Sequence, residues 1–298
     1  MNKLLHNLFE LDSPESAGTK LQLRVFELFT VVYTLYYSWE WAYYIQRLSD
    51  VILPLGLANY IDVEFFFETN LAFVNAGLIT VFILVPLITK RLRWTYAPAF
   101  VLFHIQYVVR FSQGQIPHSS NLIGFSLLGL ALGGVFIRDI KRALPFAFGF
   151  TIFFTGLAYT SAGVSKLIAS GLTWPDGYHL WLWIGEKSVD LLSRTSELQL
   201  NPIQQLALSS RFIATLILLS GILTELSAFL LWWKKFRPFI FTLLIMMTFG
   251  IYVTMNIFFK AFVIEFIIIG YPWNRFVNYL LNYSNTIKFK AASRWLLY

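Results

Sequence analysis

Long apolar runs limit what this chain can fold into more than any other feature of its sequence. Runs of about 18 residues or more recur at least six times. In hydrocarbon, a backbone satisfies its own hydrogen bonds only as a helix or as a closed barrel. A barrel strand would alternate apolar and polar residues, and these runs do not alternate. Because 57% of the 298 residues are apolar and only 13% are charged, the sequence predicts an all-α, polytopic integral membrane protein.

The apolar runs predict a helical bundle of about eight membrane-spanning helices. The predicted spans are residues 25–44, 71–88, 96–109, 122–136, 144–164, 212–233, 239–257 and 262–271. The last of these is short enough to be a tilted or partial span. The chain then divides into an N-terminal lead (1–24), a transmembrane domain (25–273) and a basic C-terminal tail (274–298). Two longer connections, 46–70 and 165–211, are expected to hold the irregular structure.

Basic residues predict the orientation of these helices. Sixteen of the 23 Lys and Arg residues fall on one side of the predicted spans. They are Lys3, Lys20, Arg24, Lys90, Arg91, Arg93, Arg138, Lys141, Arg142, Lys234, Lys235, Arg237, Arg275, Lys288, Lys290 and Arg294. Since cytoplasmic connections carry an excess of Lys and Arg, both termini are predicted in the cytoplasm, and connections 46–70 and 165–211 outside it.

The net charge of +7 is explained by this inner basic face, which would contact anionic membrane lipids. It requires no nucleic-acid partner. The modest connections between spans suit a multi-pass protein of a bacterial inner membrane better than one of the endoplasmic reticulum.

Several kinds of chemistry are excluded by residue usage. The sequence contains no cysteine, which removes disulfides, thiolate catalysis and cysteine-ligated metal centres. The four histidines lack the paired helical spacing of a metal site, and no glycine-rich phosphate loop or nucleophile elbow is present. They are His6, His104, His118 and His179. We therefore predict neither metal nor nucleotide chemistry.

Ionisable residues inside or beside the predicted spans are few, and each costs roughly 3 kcal/mol at the bilayer centre unless it faces protein or water. They are Glu27, Glu40, His104, Arg110, Glu225, Lys260 and Glu265. For any one of them, an ion pair or a hydrogen bond between helices is a more common explanation than catalysis.

The end of the fifth predicted span differs, because small residues precede a lysine there. The residues that share one helix face are Tyr159, Ala162, Gly163 and Lys166. Close packing at the small residues would deliver the Lys166 amine into whatever lies above it. A lysine that extends to the headgroups is the alternative. The aromatic stretch that comes next, with Trp174 and Tyr178, would lie among the headgroups or cover a cavity.

Four pieces of the sequence, within about residues 100–275, also occur together in a known family. The first is Ala162-Gly163-Val164-Ser165-Lys166-Leu167, followed by Trp174 and Gly177-Tyr178. The others are Pro117-His118-Ser119-Ser120, Glu225-Leu226-Ser227-Ala228 and Met255-Asn256. They resemble the transmembrane part of vitamin K-dependent gamma-carboxylase and its bacterial relatives, the horizontally transferred transmembrane domain family. The spacing to the tryptophan is longer here, and Pro117 replaces an asparagine.

The resemblance implies an enzyme whose cofactor is a reduced quinone similar to vitamin K hydroquinone. In the carboxylase, the lysine that aligns with Lys166 deprotonates the reduced vitamin, and a histidine near the position of His118 supports catalysis. We therefore expect Lys166 and His118 to be catalytic, at the outer ends of their spans. The residues expected to contact the substrate are Tyr159, Trp174, Tyr178, Asn256 and Glu225. A lysine acts as a general base only when neutral, which an apolar pocket or a nearby cation favours.

Three functions remain open from the sequence. The first is this enzyme, coupled to modification or maturation of a lipid or an exported peptide, with a separate partner protein to recognise the peptide. The second is a non-catalytic module that escorts, anchors or transports a lipid or peptide through buried contacts of Glu225, Glu265 and Lys260. The third is a structural or assembly role. Broken helices and a polar site at the membrane centre would indicate transport, whereas polar groups near the outer surface around Lys166 would indicate the enzyme.

Overall fold

A computed structural model of the protein describes residues 3–11, 13–48, 52–53, 55–89, 92–114, 118–197 and 199–283. Within these residues the chain is helical and forms no strand, which confirms the predicted all-α class. The α-helices, numbered in chain order, are α1 (Lys3–Phe9), α2 (Ala17–Arg47), α3 (Phe65–Glu68), α4 (Leu71–Thr89), α5 (Tyr96–Phe111), α6 (Asn121–Phe136), α7 (Ile140–Ser170), α8 (Gly177–Thr195), α9 (Pro202–Ser209), α10 (Arg211–Ser227), α11 (Arg237–Met255), α12 (Lys260–Gly270) and α13 (Trp273–Tyr283).

Five helical segments of the described chain are long and apolar enough to cross a membrane. They are Leu71–Thr89, His118–Phe136, Ile140–Thr173, Arg211–Trp232 and Arg237–Met255. They coincide with five of the eight predicted spans. The other three predicted spans also lie in helices, but α5 and α12 have only 16 and 11 residues. Glutamate, tyrosine and tryptophan residues interrupt the apolar sequence of α2.

The connection 165–211 is mostly helical, contrary to the expected irregular structure. Helix α7 continues to Ser170, and α8 and α9 occupy most of the residues between α7 and α10. The physical reason is local: the side chain of Asp176 caps α8, and Asn201 with Gln204 forms a capping box on α9. The apolar face of α8 is then buried through Leu180 and Ile184.

The other two connecting regions are only partly described. In the connection 46–70, residues Gly56–Asn59 form a 3-10 turn, and α3 comes after it. The predicted C-terminal tail begins with the helix α13, while Lys288, Lys290 and Arg294 lie outside the described residues, as do Lys90, Arg91 and Pro117.

The helices group into two compact units, residues 1–151 with 272–298, and residues 152–271. In the first unit, α2 packs against α4, α5 and α6. A chain of amide hydrogen bonds joins three of these helices: Asn75 Nδ2 donates to Gln106 Oε1 over 2.7 Å, and Gln106 Nε2 donates to the Ser38 carbonyl over 2.7 Å. Because both amides are buried, these bonds fix how α2, α4 and α5 align along their lengths.

A buried carboxylate forms a second set of polar contacts among the helices of the first unit. The side chain of Glu27 on α2 is completely buried. It accepts hydrogen bonds from Arg24 over 2.6 Å, from Arg93 over 3.0 Å and from the Tyr96 hydroxyl over 2.9 Å. Since a buried carboxylate is costly without such partners, the cluster ties α2 to the start of α5.

Close backbone contact places α13 beside the beginning of α2. A Cβ atom at Gly18 would lie 2.3 Å from the Asn274 carbonyl oxygen. The Gly18 amide instead donates a hydrogen bond of 2.9 Å to Asn278 Oδ1. A larger residue at position 18 would separate the two helices.

In the second unit, α8 packs against α10, and α9 packs against both. Their buried apolar residues are Leu180, Ile184, Ala207, Ala214 and Leu218. Helix α11 contacts α8, α9, α10 and α12. This arrangement gives α10 packed neighbours along much of its length, and α10 carries the buried Glu225.

We predict that Tyr96→Phe lowers the free energy of unfolding by about 1–3 kcal/mol, because it removes a hydrogen bond from a buried carboxylate. Tyr36→Phe is the matched control, since the Tyr36 hydroxyl donates to Glu40 over 3.0 Å on an exposed surface; its effect should stay within about 0.5 kcal/mol. Denaturant unfolding of the detergent-solubilised protein measures both. Equal effects of the two substitutions would contradict a structural role for the Glu27 cluster.

Candidate functional site around Lys166

Lys166 lies near the end of α7 and forms an ion pair with Glu225 of α10. The distance from Lys166 Nζ to Glu225 Oε1 is 2.5 Å. The glutamate side chain is 9% exposed and the lysine side chain 33%, so the amine is the accessible partner. The amine also lies 4.7 Å from the centre of the Trp174 ring, a favourable cation–π distance. We call Lys166, Glu225, Trp174 and the nearby Tyr159 the Lys166 cluster.

Small residues on α7 bring the two helices close enough for this pair to form. A Cβ atom at Gly163 would lie 3.1–3.2 Å from side-chain atoms of Leu226 and Glu225. One at Gly156 would lie 3.0 Å from the Ala228 carbonyl oxygen. The predicted close helix packing beside Gly163 is therefore confirmed, and its partner is the glutamate-bearing face of α10.

The second carboxylate oxygen of Glu225 distinguishes this pair from an ordinary salt bridge. Within the described part of the chain, Glu225 Oε2 is buried and accepts no hydrogen bond. An unsatisfied buried carboxylate oxygen costs free energy. It is therefore positioned to accept a proton or a hydrogen bond from a bound molecule.

A third helix adds to the polar surroundings of the lysine. Tyr159, on the same face of α7 as Lys166, packs edge-on against Phe266 of α12 with ring centres 5.9 Å apart. The carboxylates of Glu225 and Glu265 are both near enough to act electrostatically on the Tyr159 hydroxyl. Glu265 is completely buried in α12. Two buried carboxylates thus lie near the Tyr159 hydroxyl, and one of them, Glu225, is paired with the accessible amine.

The two partners lie at different positions along their apolar segments. Lys166 is seven residues before the end of the segment Ile140–Thr173. Glu225 is fourteen residues beyond the start of the segment Arg211–Trp232, roughly 21 Å along the helix axis, and therefore past its middle. Because side chains on a helix lean toward its N-terminus, the side chain of Lys166 extends back along α7 to the carboxylate. The expected position of Lys166 at the outer end of its span stays a prediction.

A second charged contact lies at the start of α8. Asp176 accepts two hydrogen bonds from Arg211, from Nε over 2.9 Å and from Nη2 over 2.5 Å. The Asp176 side chain also caps α8 at the amide of Tyr178. The Arg211 guanidinium holds the pKa of Asp176 below its usual range and lies 4.1 Å from the Tyr178 ring centre. Asp176 in the helix-capping position was the available sequence signal for this contact.

The predicted site residues are therefore only partly brought together. Lys166, Glu225 and Trp174 make direct contacts, and Tyr159 is nearby. Tyr178 instead contacts Arg211 and Trp181. Asn256 is exposed at the end of α11, with a left-handed φ of 55°. His118 begins a 3-10 turn before α6 in the first unit.

The remaining ionisable residues differ in burial. Glu265 and Arg110 are buried, and Arg110 donates to Gln113 over 2.7 Å. Glu40 bonds the Tyr36 hydroxyl on an exposed surface, and His104 is also exposed. Lys260 was expected to make a buried polar contact, but it is exposed because it begins α12 after a non-helical connection.

Comparisons with protein-family models, with curated proteins and with solved structures find no match. The function must then be argued from the chemistry of the site. The Lys166 cluster offers an accessible amine, a buried carboxylate paired with it, and a buried carboxylate oxygen that is not already bonded. These are the elements of a proton-transfer site.

We predict that Asp176→Asn lowers the thermal unfolding temperature at pH 7 and that this difference narrows as the pH falls from 4 to 3. Arg211 lowers the folded-state pKa of Asp176, so its stabilisation is fully present above the unfolded-state pKa of about 4 and is lost as the pH falls through the lower folded-state pKa. Melting temperatures across this pH range provide the measurement. Asp190→Asn, which removes only a 3.4 Å exposed contact to Lys187, is the control and should have a smaller effect at pH 7. A difference that persists unchanged at pH 3 would contradict the assignment.

Proposed function

We propose that this protein is a membrane-embedded enzyme that removes a proton from a lipid-soluble acid, with Lys166 as the general base. The observation that carries the proposal is the 2.5 Å contact between Lys166 Nζ and Glu225 Oε1, beside a Glu225 oxygen with no hydrogen bond among the described residues. A buried carboxylate oxygen without a hydrogen bond costs free energy, which a transferred proton or a bound molecule would offset.

The apolar surroundings allow the pair to release a neutral amine. In water, a lysine and a glutamate both remain charged. In a low-dielectric interior, loss of hydration penalises both charges, so the neutral amine and neutral acid approach the ion pair in free energy. Transfer of one proton from Lys166 Nζ to Glu225 then leaves the amine lone pair free. Glu225 therefore acts as the proton acceptor that activates Lys166.

The chemical step is a simple proton abstraction. The Lys166 amine accepts the proton of a substrate hydroxyl group, whose O–H bond breaks while its electron pair remains on oxygen. The resulting ammonium group stabilises the oxyanion beside it. The Trp174 ring, which already covers the amine, would orient a flat substrate ring. A reduced quinone is the substrate class that the sequence resemblance implies, with modification or maturation of a peptide or lipid as the coupled reaction.

The proposal also includes the number of membrane spans and their orientation. We infer that α2, α5 and α12 join the five apolar segments as further spans, which gives about eight spans with both termini in the cytoplasm of a bacterial cell. The basic clusters between helices support this orientation. In the same proposal a separate protein recognises the peptide. His118 belongs to the first unit, and its catalytic role stays a prediction from the sequence resemblance.

A second candidate, transport or escort of a lipid or peptide, is favoured by one observation. Glu225, the partner of Lys166, lies past the middle of the segment Arg211–Trp232. Polar sites near the membrane centre are typical of transporters.

We predict that Lys166→Ala and Lys166→Arg each reduce turnover by at least about 100-fold, the usual contribution of a general base, because neither side chain supplies a neutral amine. The purified protein in lipid nanodiscs is given vitamin K hydroquinone and oxygen. Oxygen oxidises the deprotonated hydroquinone, and loss of the hydroquinone above the protein-free rate is measured chromatographically. Glu225→Gln removes the carboxylate whose negative charge favours the protonated amine, so the pH profile of turnover should shift to lower pH. Lys260→Ala, at an exposed lysine of the same unit, is the control and should match the wild type.

Two outcomes would decide against the enzyme. Normal turnover by both Lys166 variants would eliminate the general-base role. No hydroquinone loss with the wild type, together with failure of Lys166→Ala to replace the wild type in its native host, would favour transport or escort. Membrane expression of each variant is checked first, so that loss of protein is not mistaken for loss of activity.

A further inference from the structure

A cavity of about 320 Å³ opens between α5 and α6 in the first unit. Its apolar lining consists of Phe100, Phe103, Tyr107, Gly124, Phe125 and Leu128. The volume is near the lower end of the roughly 300–1,000 Å³ that small-molecule sites occupy. It therefore fits one ring system and not a whole phospholipid.

Three polar groups face this apolar cavity and have nothing in the described protein to bond. They belong to the His104 imidazole, the Tyr107 hydroxyl and the Asn121 side-chain amide. None of the three makes a hydrogen bond within the described residues. His104 and Asn121 are exposed, so a molecule that enters the cavity can reach their polar groups. A bound molecule with an oxygen atom would satisfy them.

The walls of the cavity are held in place by stacked rings. His104 lies between Phe100 and Tyr107, with ring centres 6.1 Å from each and interplanar angles of 12° and 9°. Phe103 stacks on the buried Trp41 with ring centres 4.9 Å apart. A site whose side chains are already ordered loses little conformational freedom on binding.

The lining also indicates what kind of molecule binds. No Asp, Glu, Lys or Arg side chain lines the cavity among the residues that the structure describes, so it offers no counter-ion to a phosphate or a carboxylate. Aromatic walls favour a flat ring in offset or edge-to-face packing. We propose that this cavity is a binding site for an uncharged ring lipid that carries a hydroxyl or carbonyl oxygen, which bonds to His104, Tyr107 and Asn121.

This binding site goes beyond the proposed proton-transfer function. It lies wholly within the first unit and shares no residue with the Lys166 cluster. The two proposals can therefore fail separately. Loss of turnover in Lys166 variants says nothing about the cavity, and loss of binding at the cavity leaves the Lys166–Glu225 chemistry as it is.

Gly124 provides a direct test, because it borders the cavity without packing against anything. A Cβ atom built there has no neighbouring heavy atom within 4 Å, so a side chain at this position starts in open space, and Gly124→Leu should fill part of the cavity. Gly77→Leu on α4 is the matched control, since a Cβ atom at Gly77 also has no neighbour within 4 Å and Gly77 does not border the cavity. Both changes add the same side chain to an apolar helix.

The probes are α-tocopherol, a ring lipid with a hydroxyl group, and decylubiquinone, a ring lipid with carbonyl groups. Binding to the purified protein in nanodiscs is measured as a rise in the thermal unfolding temperature with ligand concentration. We expect wild type and Gly77→Leu to bind alike, and Gly124→Leu to bind at least ten-fold more weakly. His104→Phe, which keeps the ring stack but removes both nitrogen atoms, should also weaken binding. If Gly124→Leu does not fold, the binding measurement with His104→Phe still tests the proposal.

Dioleoylglycerol, which has no ring, and phosphatidylglycerol, which is charged, are the comparison ligands. Any rise in unfolding temperature that these two lipids cause should be the same for the wild type and for Gly124→Leu. The proposal is overturned if Gly124→Leu and His104→Phe both bind the ring lipids as the wild type does. It is also overturned if phosphatidylglycerol alone shows a Gly124-dependent effect, because the cavity would then hold an acyl chain.

Discussion

Buried carboxylates paired with basic groups join helices in both units of this protein. In the first unit, Glu27 is bonded by Arg24, Arg93 and Tyr96, so the pairing fixes α2 against α5. In the second, Glu225 is bonded by Lys166 across α7 and α10. The two pairs differ in one respect that matters chemically. Glu27 has both oxygens bonded, whereas Glu225 keeps one oxygen free of hydrogen bonds within the described residues.

Much of the helical architecture could be predicted from the sequence. Every predicted span lies in a helix, because an apolar run has no other way to bond its backbone in hydrocarbon. The close packing beside Gly163 was also predictable, since small residues repeat on one face of α7. The helices α8 and α9 were missed, because their mixed composition gives no long apolar run, and their formation depends on capping by Asp176 and Asn201.

The sequence identified several residues of the candidate site, but it did not predict which of them contact each other. Lys166 and Glu225 both stand out as ionisable groups near spans, yet they are 59 positions apart, and only the packing of α7 on α10 brings them together. His104 was noted only as an ionisable residue, since a cavity between two helices has no signature in one sequence.

The Glu27 cluster has a consequence for how this protein is made. Tyr96 comes 69 positions after Glu27, and at synthesis rates of about 5–20 residues per second the ribosome needs roughly 3 to 14 seconds to produce that stretch. During this interval α2 carries a carboxylate that still lacks Arg93 and Tyr96. Of its three partners, Glu27 then has only Arg24 in the chain already made. The full Glu27 cluster, and with it the fixed position of α2 against α5, can form only after Tyr96 has been synthesised.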